Sequence, residues 1–323
     1  MKLRAISSFL CFLTATGLHA DVTARYSATI QMSALLPGMD EAVKAVQSGM
    51  PSSTVVRMKG GKGYSKFGKM EAITDYTKQE ITLFDTATKT YAIAPVSQLT
   101  ETLTGAMPDV PGDAGKMLAA MKTHFESRKT GRTETILGIQ GEETEGVLTV
   151  EGPAVPGMPQ NGPMMKMVMR IWVARPEETL RVQALREMSG YKQYADNVMN
   201  TGTMLKRVLG KMPGMGEGID SMFQEIQKNQ SVMLRTQMEM QMPMLAQLAQ
   251  QMAKAGQPLP AGFDPNAPFM QMNQELVELS DAPLDDALFR VPDGFRQVPV
   301  EELVKSMMPA RAAGAMMPAG AKQ

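Results

Sequence analysis

Residues 21–33 alternate more regularly than any other stretch of the chain. Val22, Ala24, Tyr26, Ala28, Ile30 and Met32 fall on one side, and Thr23, Arg25, Ser27, Thr29, Gln31 and Ser33 on the other. A period of two with one polar side predicts an antiparallel strand that is wet on one face. Residues 79–93 carry the same alternation around a reversal. Ile81 and Leu83 flank Thr82, Tyr91 and Ile93 flank Ala92, and Asp85-Thr86-Ala87-Thr88-Lys89 supplies a polar turn. Further strands are predicted near 54–58, 64–67 and 70–75, around a Gly60-Gly61-Lys62-Gly63 turn, and a second hairpin over 133–150. Met164 to Ala174, Ser231 to Met242 and Gln274 to Leu279 complete the set.

Helical spacing lies between the strands. Residues 42–49 predict a short helix. Leu99, Leu103, Met117, Leu118, Met121 and Phe125 recur at three-to-four spacing, and helical insertions are predicted near 97–125, 184–229 and 244–268. Residues 152–163 are loop by composition. Short strands with helices inserted among them, without regular βαβ alternation, predict an α+β fold built on an antiparallel sheet. Residues 21–298 form the predicted domain. A short helix from Val300 and a low-complexity tail fill 299–323.

The first twenty residues predict a cleaved signal peptide. Lys2 and Arg4 precede a mostly apolar run over 5–16, too short to span a bilayer, and Leu18-His19-Ala20 offers a small residue for cleavage before Asp21. Cys11, the only cysteine, leaves with this segment; the bulky Phe9-Leu10 before it argues against a lipid anchor. A mature chain with neither thiol nor disulfide suits a bacterial periplasm. Loss of Lys2 and Arg4 from a balance of 33 basic and 33 acidic residues leaves a net charge of −2. Nucleic-acid binding, which needs a basic face, is not expected. No later apolar run approaches the roughly 18 residues of a membrane span, so no transmembrane segment is expected.

The chain holds 32 methionines. Met165, Met167 and Met169 share a predicted strand face with Ile171 and Val173, and Met238, Met240, Met242 and Met244 share one with Val232, Leu234 and Thr236. Three readings compete: core filler, an adaptable wall for an apolar ligand, or a Cu(I) site. The third suffers from spacing, since alternate residues of one strand stand about 6.6 Å apart. No metal site and no cofactor are expected. The candidate ligand-binding set is therefore Met165, Met167, Met169, Met238, Met240 and Met242, with Trp172 as a packing residue or at a cavity mouth.

Catalytic candidates are lacking. After cleavage His124 is the one histidine, and there is no GxSxG elbow. Glu142-Glu143, Glu177-Glu178 and Asp285-Asp286 are sequence neighbours, which point to opposite faces of a strand rather than forming a carboxylate pair. Gly60, Gly61 and Gly63 lack the spacing of a phosphate loop. An enzyme is not expected.

Four segments, ITDYTKQEITLFDTATKTYA at 73–92, TETILGIQGEETEG at 133–146, IWVA at 171–174 and LFRVPDGF at 288–295, together resemble the outer-membrane lipoprotein carrier (LolA/LolB-like) superfamily, and within it an uncharacterised secreted bacterial family. The resemblance spans most of 21–298. It implies a curved antiparallel sheet, a half-barrel, with helices covering the concave face and acyl chains held beneath them. The implied partner is a lipid or an acylated protein. No local pattern picks Arg25 or Arg235 as the carriers' functional arginine. The reading is a non-catalytic periplasmic protein that binds an apolar ligand. The alternatives are a structural or interaction protein without a ligand, and Met-based Cu(I) binding.

Overall fold

The computed structural model describes residues 21–33, 51–106 except Lys69, 120–152, 163–199, 231–244 and 267–307, with isolated positions within 43–47, 218–224 and 247–256. The predicted signal segment, the predicted loop over 152–163 apart from its ends, the predicted tail beyond 307, and most of the predicted helices at 42–49, 200–229 and 244–268 lie outside the described residues.

The alternating stretches become strands of one sheet. They are β1 (Val22–Met32), β2 (Ser53–Lys59), β3 (Lys62–Phe67), β4 (Met70–Asp75), β5 (Glu80–Asp85), β6 (Thr90–Pro95), β7 (Lys122–Ile136), β8 (Ile139–Glu151), β9 (Met165–Ala174), β10 (Met233–Gln241), β11 (Met270–Ser280) and β12 (Arg296–Gln297). The 12-stranded order is β12-β6-β5-β4-β3-β2-β1-β11-β10-β9-β8-β7. All neighbours are antiparallel except β12, which runs parallel to β6. The N-terminal strand thus sits in the interior, between β2 and β11.

This corrects the expected fold class. The described chain is mostly strand, in one open mixed sheet, rather than an α+β half-barrel roofed by helices. Its described helices are few and small: α1 (Val96–Ala106), α2 (Pro176–Arg181), α3 (Gln183–Met199) and α4 (Val300–Met307). The helix expected over 97–125 ends at Ala106, and Phe125 lies on β7. The three-to-four spacing that reached Phe125 was outweighed by pairing. Phe125 stands opposite Leu148 in the longest ladder of the sheet, and such tertiary pairing overrides local periodicity.

Cross-strand partners share a face, so the register sorts the sheet into two sides. One side carries Val56 and Met58 of β2, Ala24 and Tyr26 of β1, Leu276 of β11, and Ile171 and Val173 of β9. We call it the apolar face. Helix α3 lies on it, with Tyr191 against Val22 and Met58 and with Met188 beside them. At its far end α1 and α4 bury Leu99, Leu303 and Val304 against Ala92 and Ala94 of β6.

The other side carries charge over β7–β11 and an aromatic cluster over β3–β5. There Tyr64, Ile73 and Phe84 receive Phe289 from a 3₁₀ turn at Asp286–Phe289, with Phe295 edge-on to Phe84 at 6.1 Å. The C-terminal segment therefore crosses the charged side, pairs through β12 with the β6 edge, and ends as α4 on the apolar face. Asp21 fixes its start: its carboxylate accepts the Leu284 amide at 2.6 Å and lies 3.6 Å from Lys59, which also meets Asp286 at 2.8 Å.

Two turns are built alike. Asp75 accepts the amides of Thr77 and Lys78, Asp85 accepts that of Ala87, and each turn ends on a residue with positive φ, Gln79 and Lys89. Aspartate in the first position replaces the missing backbone partner and sets the reversal.

Candidate functional site

The apolar face holds a cavity of about 400 Å³ beneath α3. Its floor comes from the central strands: Tyr26 of β1, Thr54, Val56 and Met58 of β2, Ile171 and Val173 of β9, and Gln274 of β11. Met188, Tyr191 and Lys192 of α3 form the lid, and Ser231, Val232 and Met233 close one side. The spacing of 188, 191 and 192 puts these three on one helical stripe.

Two of the hydroxyls at the wall, those of Tyr26 and Tyr191, are drawn into the fold. The Tyr26 hydroxyl donates to the Met233 carbonyl at 3.0 Å, and burial raises its pKa well above the ordinary tyrosine value. Burial also raises the Tyr191 hydroxyl, against the opposing pull of the Gly60 and Gly61 amides in the β2–β3 turn. Neither phenol is poised to ionise near neutrality. The cavity is lined mostly by aliphatic, methionine and tyrosine side chains, which suits an apolar occupant.

The predicted site residues separate. Met165, Met167 and Met169 lie on the apolar face of β9, and Met238 and Met240 on that of β10. All are half-buried, and none lines the cavity. The register makes them neighbours: Met238 stands opposite Met169, and Met240 opposite Met167. Met242 lies just past the end of β10. Trp172 takes the opposite side from Ile171 and Val173. It is 6 % exposed, packed with Ile136, Ile139 and Leu234, and capped by the Arg235 guanidinium 5.5 Å from its ring. It is a core residue and does not line the cavity.

Sequence reasoning missed the cavity residues Tyr26, Met58, Met188, Tyr191 and Met233 as a group. It also missed Met270 and Met272, because β11 begins four residues before the predicted strand. The alternating Met-Gln-Met at 270–272 repeats that at 240–242 and was the available signal.

Behind the site, the charged side is cross-linked. Glu143 of β8, with a fully buried side chain, pairs with Arg132 at 2.7 Å. Glu145 accepts from Arg128 at 2.7 Å and from Arg170 at 3.1 Å, and Arg170 reaches Glu239 at 3.4 Å. Arg235 bridges Glu134 and Glu275. Arg25 pairs with Glu278 at 2.8 Å. These carboxylates are paired with cations, which fits a structural role. The Arg128 hydrogen bonds hold the Glu145 carboxyl below the usual carboxylate range; burial opposes this and Arg170 reinforces it.

A carboxyl lowered by folding stabilises the protein above its unfolded value, and that stability is lost as pH falls through the lowered one. Glu145→Gln should therefore lower stability at neutral pH and flatten its acid dependence from about pH 5 downward. Urea midpoints measured across that range check this; an unchanged slope rejects the pairing.

Among the described residues no group of histidine, cysteine, aspartate and glutamate is placed to hold a metal ion, and no helix is long and apolar enough to cross a membrane. No family model and no curated protein matches the chain. Among solved structures, a LolA superfamily protein from Nitrosomonas europaea is similar over 84% of this chain and 90% of that one, at 6% identity and a TM-score of 0.20. A superposition that loose aligns no side chain with another, and the site rests on its own geometry.

Proposed function

We propose that this chain is a non-catalytic periplasmic protein that binds an apolar ligand, an acyl chain of a lipid or acylated protein, in the cavity beneath α3. The observation that carries the reading is the cavity itself: about 400 Å³, walled mainly by aliphatic, methionine and tyrosine side chains. At about 30 Å³ per small group this is room for roughly a dozen methylenes. Burying each contributes about 0.8 kcal/mol, so the gross gain is roughly 10 kcal/mol. Ordering the ligand and docking it cost several kcal/mol. The balance is binding in the micromolar-to-millimolar range, without any dedicated polar anchor.

The experiment is lipid extraction and mass spectrometry of the mature protein, purified from its own periplasm or loaded with a fluorescent fatty acid. Met188→Trp, which adds bulk to the lid, should cut the bound lipid roughly tenfold while leaving the fold intact. A wild-type protein that emerges empty and ignores the fluorescent probe overturns the reading. So does a Met188→Trp variant that binds as well as the wild type. The periplasmic address is tested by fractionating cells and sequencing the mature N-terminus, which should begin at Asp21.

A further inference from the structure

The methionines that miss the cavity form a pattern of their own. On the apolar face, Met169 of β9 stands opposite Met238 of β10, and Met238 opposite Met272 of β11. One step along the strands, Met167 stands opposite Met240, Met240 opposite Met270, and Met270 opposite Met32 of β1. Each row is continued on β8 by a residue without a charge, Gly146 in the first and Leu148 in the second. Thioethers thus form two parallel rows across adjacent strands, half-exposed and with no charged side chain among them.

The spacing that disfavours metal binding along one strand does not apply across strands. Alternate residues on a strand are about 6.6 Å apart, but directly opposed residues have Cβ atoms only about 4.5–5.5 Å apart. Methionine then has three rotatable bonds with which to turn its sulfur toward a neighbour's. Three thioethers in a row on successive strands are a soft, neutral, carboxylate-free donor set. Such a set selects Cu(I) and leaves Ca²⁺, Mg²⁺ and Zn²⁺ without oxygen, imidazole or thiolate ligands.

We infer that Met169, Met238 and Met272 form a thioether site for Cu(I), with Met167, Met240 and Met270 as a second such site beside it. Binding is simple coordination of the already reduced ion. No electron is transferred, and each sulfur donates a lone pair. The site is independent of the cavity and of any lipid within it.

The test is anaerobic titration of the mature protein with Cu(I) against a chromophoric Cu(I) chelator, repeated for Met238→Leu with Met240→Leu. Leucine conserves volume and apolarity, so packing is retained while the central sulfur of each row is lost. The wild type should withdraw Cu(I) from the chelator, and the variant's affinity should fall roughly tenfold or more. X-ray absorption of the loaded wild type should show sulfur ligation. Should the double variant fail to fold, silver(I) added to the wild type with methyl-labelled methionine reports directly, by shifting the methyl signals of the row methionines. Failure to compete with the chelator, equal affinity in a folded leucine variant, ligation without sulfur, or unshifted methyl signals each overturns the site.

Discussion

Replacing Phe289 with alanine should cost about 3–5 kcal/mol of folding stability. Phe289 is 6 % exposed, and it is the residue that the C-terminal segment inserts among Tyr64, Ile73 and Phe84. The loss combines the transfer of a large apolar side chain with the cavity left between two aromatic rings and an isoleucine that cannot all collapse inward. Its effect should spread beyond the site. The same segment carries β12 to the edge of β6 and then α4 onto the apolar face, where Leu303 and Val304 pack. Urea denaturation followed by Trp172 fluorescence, with hydrogen exchange at β6, measures both consequences. A loss below about 1 kcal/mol would mean that the segment is held by its polar clasp at Asp21, Lys59 and Asp286 rather than by Phe289.

The second large effect belongs to the charged side. Glu143→Ala should cost about 1–3 kcal/mol, because it empties a fully buried position and takes one carboxylate from the Arg132 and Arg170 cluster. Glu143 has no exposed side-chain surface, pairs with Arg132, and lies 3.9 Å from Arg170. It also stands directly opposite Trp172. Arg132 can swing into solvent, since its side chain is 64% exposed, whereas Arg170 at 27% has less freedom. Glu126→Ala is the control. Glu126 pairs with His124 at the exposed edge of the sheet, and its loss should change stability by less than about 0.5 kcal/mol. Equal costs for the two substitutions would contradict the role assigned to burial.

Period-two alternation carried most of the sheet in plain view. Val22 to Met32 emerged as β1, and the 79–93 hairpin as β5 and β6 with the Asp85 turn between them. What alternation could not carry was partnership. Nothing in Met167 or Met240 alone states that they face each other, since this follows from the β9–β10 register. The cavity was harder still. Tyr26, Val56, Ile171 and Met188 come from separated elements, and each is an ordinary core residue in its own stretch. Trp172 shows a simpler rule: in a strand the neighbour of a cavity residue points away from it, and Ile171 and Val173 are the ones that face the cavity. The helix read through to Phe125 shows the converse failure, where a fortuitous three-to-four spacing matched a strand that its partner β8 imposes.

The place of β1 bears on how the chain reaches this structure. Its first neighbour, β2, follows directly, but its second, β11, is synthesised only near the end, and the Asp21–Leu284 contact closes a separation of 263 residues. Closing so long a loop before its contacts reward it slows folding. The seam between β1 and β11 in the middle of the sheet therefore forms late. A nascent chain stays open until residues 270–280 arrive, and a truncation between β10 and β11 leaves β1 and β10 each with one unpaired, aggregation-prone edge.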